Sequence, residues 1–303
     1  MSASNRRTFL GRAIAGAGAI AALPLLERLS CRADEDHTEK GLKMAYGLVT
    51  YQWGNDWDLP TLIANCTEAG VGGVELRTTH AHGVEPSLNE EQREEVRARF
   101  ADSAVTLVGL GSDERFDNPD PAVVKKAIEA AKGFLLLSHD VGGTGVKVKP
   151  DRFHDGVPHE KTIEQIGRAL NELGEFGAGY GQQVRLEVHG QCADLPTIHA
   201  ILEVADNENV AVCWNSNPQD LEGEGLAHNF NLVKDRLGAT LHVRELDSDG
   251  YPWQKLIDLL VGCDYEGWVM LEASTRPADR VAALAAQVKL FAEMLGDARK
   301  RLE

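Results

Sequence analysis

Four residues in the second half of the chain have the types and spacing of a metal centre. Glu187, Asn215, His242 and Glu272 follow one another at intervals of 28, 27 and 30 residues. Two carboxylates, an imidazole and an amide oxygen make a hard, mixed O/N donor set. Such a set suits Mn2+, Mg2+ or Co2+, and Zn2+ is also compatible. Burying two glutamates without a partner would cost several kcal/mol, on the order given for unpaired buried charge, and a cation offsets that cost directly. Two glutamates across a cation suit proton chemistry beside a carbonyl. One removes the α-proton. The other returns it to the opposite face, returns it to the neighbouring carbon, or assists loss of a β-substituent. Epimerisation, isomerisation and elimination thus share a first step.

The interval between these residues is about one β/α unit, which turns attention to the elements that carry them. From Met44 a short apolar run ending in polar residues alternates with a helical pattern. The runs read MAYGLVTYQW, GGVELRT, VTLVGLGSD, TGVKVKP, QVRLEVHG, VAVCWNSN, TLHVREL and GWVMLEAS. Between them apolar residues recur at three- and four-residue spacing, and Gly70, Gly238 and Gly296 stand where helix C-caps belong. Eight units without a linker predict a single α/β domain over residues 44–296, a (β/α)8 TIM barrel whose chemistry lies at the C-terminal strand ends. No G-x-G-x-x-G follows the first strand, which removes support for an open nucleotide-binding sheet. The GGTG at 142–145 precedes a strand and reads as a turn.

Side chains alternate along a strand. With Leu186, Val188, Val212, Trp214, Leu241, Val243, Val269 and Leu271 turned to the helices, Glu187, Asn215, His242 and Glu272 point into the barrel. The same parity turns Arg185, His189, Cys213, Asn217 and Arg244 inward. Glu75 on the second strand, Lys147 and Lys149 on the fourth, and Trp53 after the first complete the lining. His189, Arg244, Glu75, Asn217, Lys147 and Trp53 are the candidate substrate-binding residues. Arg244 could equally pair with Glu187 or Glu272, and Glu75 with Arg77. Lys147 could neutralise nearby glutamates, and Trp53 could cap the barrel. Asn217 could shape its loop. The pair His80 and His82 lacks a third ligand nearby and reads as a solvated loop.

At these residues the chain resembles the xylose isomerase-like TIM-barrel superfamily, the sugar phosphate isomerase/epimerase group, over the whole of residues 44–295. The resemblance implies one divalent metal held by Glu, Asp, His and Glu on strands five to eight. Those positions fall on Glu187, Asn215, His242 and Glu272. It also implies that Glu187 and Glu272 are the catalytic acid/base pair, and that Glu75 contacts substrate. The E-x-H-G form of Glu187, His189 and Gly190 is common in the family. Two positions depart from it. Asn215 stands in place of the aspartate, so the donor set loses a negative charge. Pro218 stands where epimerases often carry a substrate-binding histidine, which weakens assignment as a ketose 3-epimerase.

The N-terminus reads as a leader. Arg6 and Arg7 precede Phe9, Leu10 and a short, glycine-rich apolar stretch. That is the form of a twin-arginine export signal over residues 1–33, followed by a polar tether over 34–43. The stretch is too short for a comfortable membrane span. The expected location is therefore the periplasm, with no membrane association beyond export. Residues 34–303 carry 26 basic and 46 acidic residues, a net −20. Such a surface repels nucleic acid, which opposes a DNA-repair endonuclease on this fold. The five cysteines form no C-x-x-C pair and predict neither a disulfide framework nor a zinc ribbon. A small-molecule carbohydrate is the expected partner, and a homo-oligomer is compatible with the sequence. Phosphorylated sugars are mostly cytoplasmic, so an exported enzyme points to an unphosphorylated sugar or keto-sugar. The expected activity is metal-dependent isomerisation or epimerisation through an enediolate. The alternatives are a keto-glycoside lyase or hydratase with the same metal and base, and a sugar-binding barrel without catalysis.

Overall fold

The computed structural model describes residues 43–302. The expected leader and most of the expected tether lie outside the described residues. Eight strands alternate with eight helices. The strands are β1 (Ala45–Val49), β2 (Gly73–Arg77), β3 (Thr106–Arg115), β4 (Gly145–Lys149), β5 (Gln183–Glu187), β6 (Val210–Cys213), β7 (Thr240–Val243) and β8 (Trp268–Leu271). The helices are α1 (Leu59–Ala69), α2 (Glu90–Ala101), α3 (Pro121–Val141), α4 (His159–Ala178), α5 (Leu195–Val204), α6 (Leu226–Val233), α7 (Trp253–Gly262) and α8 (Arg280–Lys300). All pairings are parallel, in the order β6-β5-β4-β3-β2-β1-β8-β7. The barrel closes between β6 and β7 with no continuous ladder. Two isolated bridges join that seam, Val212 to Leu237 and Asn215 to His242. The second one links two of the four predicted ligand positions.

The helices begin where short polar side chains can satisfy free N–H groups. Asp58 accepts from Thr61 N, Asp194 from Thr197 N, and Asn89 and Gln92 form a capping box. Two of the predicted glycine caps differ. Gly70 ends α1 in the left-handed region at φ 75°. Gly296 lies inside α8, which runs on to Lys300. An apolar face there continues past the glycine through Ala298, and that packing outweighs the glycine's poor helix propensity. Gly238 ends no α-helix. Its N–H donates to Val212 O at 2.8 Å, and a Cβ there would lie 3.0 Å from Gln183 Oε1. The need is for close approach at the seam.

Apolar residues turned outward from the strands form the main core with the helices. The barrel interior is filled unevenly. Gly47, Gly73, Gly109 and Gly145, one from each of β1 to β4, leave room for large side chains from adjacent and next-but-one strands. A Cβ on Gly47 would meet Met270 Sδ at 2.4 Å, and one on Gly73 would meet Trp268 at 2.6 Å. At Gly109 and Gly145 the obstacle is Arg185, at 2.7 and 3.0 Å, beside backbone oxygens at 2.6 and 2.4 Å. Arg185 is fully buried and donates to Thr144 Oγ1 at 2.6 Å. The floor beneath the site therefore carries a fixed positive charge.

Candidate metal centre

Glu187, His242 and Glu272 converge at the end of the barrel where strand parity places them. One ligand atom from each lies within 4.8 Å of the others. His242 Nδ1 stands 3.5 Å from Glu187 Oε1 and 3.9 Å from Glu272 Oε2. Divalent cations bond O and N ligands at roughly 2.0–2.3 Å, which spaces neighbouring ligands about 3–4 Å apart. The distances fit that spacing. Both ring nitrogens of His242 are buried and neither makes a hydrogen bond. Buried polar atoms are nearly always partnered, so the orphaned Nδ1 facing two carboxylates is a donor atom without an acceptor site of its own. The residues present fit a divalent cation.

Asn215 joins this cluster through its amide nitrogen, which donates to Glu187 Oε1 at 3.1 Å. Glu75 joins it from β2. Its Oε1 lies 3.2 Å from His242 Nε2, within ion-pair reach but misaligned for a hydrogen bond. Both carboxylate oxygens of Glu75 are buried without hydrogen bonds. A carboxylate behind the distal nitrogen of a ligating histidine fixes the ring and raises its basicity. The structure thus sets Glu75 against His242, not against Arg77, whose guanidinium is 3.6 Å from Asp113.

Lys147 is the cation already present. Its ammonium donates to Glu187 Oε2 at 2.8 Å, and both side chains are 1% exposed. Burial pushes the Glu187 carboxyl up, but the ammonium, then His242 and His189, hold it well below the usual carboxylate range. Burial likewise works against charge on His242, yet Cys213, Glu75 and Glu187 raise it well above the usual imidazole range, a proton that a cation must displace to bind. Glu75 is lowered in spite of its burial, by His242, Lys147 and Arg185. Three carboxylates and three basic groups therefore share the barrel centre. The two glutamates are not equivalent there. Glu187 has both oxygens engaged, whereas Glu272 is 19% exposed and makes no side-chain hydrogen bond within the cluster.

The remaining predicted residues separate by position. His189 and Arg244 stand at the mouth. Arg244 is exposed and pairs with neither glutamate. His189 bonds through Nδ1 to Asp151 Oδ1 at 3.1 Å. Asn217 spends its amide on Val188 O and Asn215 O, at 2.7 and 2.9 Å, and so shapes its loop. Trp53 is 2% exposed and donates to Thr275 O at 2.9 Å, a cap over the β8 end. Lys149 pairs with Asp113 at 2.9 Å. His82 is fully used in its own loop, accepting from Val84 N and contacting Arg77 O at 2.8 Å. His80 lies beside Thr50 Oγ1, and its pKa falls to about 4, from burial and then Arg77.

Three side chains that position the site escaped the reading by strand parity: two lie past strand ends and one at the tip of the longest strand. Glu245 is buried just after β7 and accepts from the backbone N–H and hydroxyl groups of Ser274 and Thr275. It pins the turn that follows Glu272. Asp151, just after β4, and Arg115, at the tip of β3, meet at 3.1 Å beside His189. The ten-residue length of β3 could have signalled the last of these.

Solved structures share this architecture. The 3-keto-D-glucoside 4-epimerase of E. coli superposes with a TM-score of 0.70 at 17% identity, covering 83% of this chain and 100% of that one. The IOLI protein, solved with a binding zinc atom, gives 0.70 at 16% identity, with 84% and 99% covered. A probable 3-DHS dehydratase of Bacillus anthracis gives 0.65 at 15% identity, with 82% and 99% covered. At these identities the likeness is one of fold. Among curated proteins, none matches the chain in sequence. The sequence model of the xylose isomerase-like TIM barrel matches residues 63–294, from within α1 to within α8, and the chain belongs to that family.

Proposed function

We propose that this protein is a divalent-metal-dependent sugar isomerase or epimerase that removes a proton beside a carbonyl. The observation that carries the reading is the buried triad of Glu187, His242 and Glu272, with the orphaned Nδ1 of His242 facing both carboxylates. Those three residues would hold Mn2+, Mg2+ or Co2+, with Zn2+ also compatible, and Asn215 would complete the set by turning its amide oxygen inward. When bound, the cation supplies a Lewis acid that polarises the substrate's carbonyl or hydroxyl oxygen.

This chain's own residues divide the remaining work. Glu272 is the base, because it is the glutamate reachable from the mouth and free of hydrogen bonds in the cluster. Glu187 is anchored by Lys147 and Asn215, which fixes its direction. Glu75 holds His242 in place from behind. His189 and Arg244 at the mouth would bind substrate hydroxyls. The substrate is a carbohydrate, and the twin-arginine leader favours an unphosphorylated sugar or keto-sugar met in the periplasm.

The unequal glutamates favour one second reading. A single open carboxylate suits a proton taken and returned on one face, or a β-elimination, better than exchange between two opposed bases. A keto-glycoside lyase or hydratase would use the same metal and the same Glu272. A panel of keto-sugars and glycosides incubated in D2O with the Mn2+-loaded protein tests both. Deuterium beside the carbonyl with mass otherwise conserved supports isomerisation or epimerisation. Released water or aglycone supports elimination. Turnover with no solvent deuterium in any product, and with the label of an α-deuterated substrate left on its original carbon, would exclude the enediolate route.

A further inference from the structure

Where β4 and β5 end, the backbone turns tightly around Asp151. Asp151 has φ 68°, in the left-handed region that aspartate and asparagine enter more readily than other non-glycine residues. It is 7% exposed. Its carbonyl accepts from Gln191 N at 2.7 Å and Cys192 N at 3.2 Å. Gly190 crosses so close that a Cβ there would lie 2.2 Å from Asp151 O, and its own φ is 71°. Strain of this kind persists only where surrounding contacts over-determine it, and it gathers at functional sites.

The strained residue delivers its carboxylate to one place. Oδ1 lies 3.1 Å from His189 Nδ1. Oδ2 is paired with Arg115 Nε at 3.1 Å and lies 3.4 Å from Arg152. An ionised carboxylate can only accept, so Nδ1 must carry the proton. In the neutral ring Nε2 is then an acceptor. Among the described residues Nε2 of His189 has no hydrogen-bond partner, and the side chain is 34% exposed. His189 follows Glu187 by two positions, at the same barrel mouth.

We propose that Asp151 is a positioning residue that fixes His189 as the Nδ1–H tautomer and presents Nε2 as acceptor to a substrate hydroxyl. The hydroxyl part rests on the sugar-modifying reading above; the tautomer does not. A carboxylate behind a functional imidazole selects the tautomer and the ring angle. Arg115 keeps that carboxylate ionised and aimed, which gives the unusual length of β3 a purpose.

Long-range 1H–15N correlation on the full chain, collected at pH 9 where imidazoles are largely neutral, reads the tautomer directly. Wild type should show His189 protonated on Nδ1. Asp151→Asn keeps an acceptor and tolerates positive φ, so it should retain that tautomer. Asp151→Gly relieves the backbone and removes the carboxylate, so it should release it. With the sugar found in the D2O panel, Asp151→Gly should lose about tenfold or more in kcat/KM, and Asp151→Asn should recover most of it. Mn2+ affinity, measured by calorimetry, should be unchanged in both. Protonation of wild-type His189 on Nε2 overturns the proposal, and so does an unchanged tautomer in Asp151→Gly. If Asp151→Gly does not fold, the wild-type and Asp151→Asn spectra still decide. A panel without turnover defeats the functional reading and leaves the tautomer result standing.

Discussion

Lys147 decides how Glu187 can be used. Its ammonium, fully buried, donates to that carboxylate at 2.8 Å. Removing one member of a buried ion pair typically costs about 3–5 kcal/mol, because the other is left uncompensated. Lys147→Met should therefore destabilise the metal-free protein by roughly that amount. A divalent cation can replace the lost charge, so Mn2+ should raise the melting temperature of Lys147→Met more than that of wild type. Equal Mn2+ shifts in thermal unfolding would mean that Lys147 and the cation do not share Glu187. A second residue sets pH dependence from outside the centre. Asp220 is fully buried, and burial raises its pKa to about 7 from 3.8, against the opposing bonds from Tyr251 and Asn217 N. The folded state thus keeps a proton that the unfolded chain gives up above about pH 4. Stability is full below that point and falls as pH rises through 7. Asp220→Asn keeps an acceptor for both donors and removes the titration. It should be more stable than wild type at pH 8, by on the order of a few kcal/mol, with the gap closing towards pH 4. Parallel urea-unfolding profiles across that range would refute the assignment.

At the scale of elements, the turn after β5 is the tightest joint in the site. Gly190→Ala sets a Cβ against Asp151 O and places a side chain at positive φ. It should cost more than about 2 kcal/mol in urea unfolding, with His189 displaced from Asp151. A loss under about 0.5 kcal/mol, the range of a neutral surface change, would mean that the turn relaxes freely. The sequence allowed part of this to be read. Alternation along β5 to β8 separates buried Leu186 and Val212, packed on helices, from Glu187 and His242 inside the barrel, because a pleated strand leaves two faces only. Alternation says nothing of residues past a strand end. Asp151, Glu245 and the amide of Asn217 act from turns, where direction depends on local φ and ψ. Nor does it rank partners. Glu75 was legible as inward, but whether it meets substrate, Arg77 or His242 depends on the bulge between Val74 and Glu75 that shifts β2 against β3. The glycines of β1 to β4 were legible as glycines, but their purpose depends on Arg185, Trp268 and Met270 from strands one or two places away.

For the whole molecule, ligand binding and folding are one equilibrium. A cation bound by the native centre alone, at 100 times its dissociation constant, adds about 2.7 kcal/mol. In a domain of this size that is roughly 5–10 °C in melting temperature. Mn2+ should give such a shift, EDTA should reverse it, and Glu272→Gln should reduce it. No shift with Mn2+, Mg2+, Co2+ or Zn2+ would remove the metal from the functional reading.

The β6–β7 seam gives the centre a mechanical meaning. Most neighbouring strands are zipped by ladders, while these two meet through isolated bridges, one of them between Asn215 and His242. The candidate ligands are thus also the clasp of the ring. Ser216 N to His242 O, at 3.2 Å, and His242 N to Trp214 O, at 2.6 Å, are the amides that must open if the clasp is sprung. Their hydrogen exchange should slow on Mn2+ addition far more than that of β2 or β3. A barrel fastened by its own cation would be a container whose lock and contents are the same object.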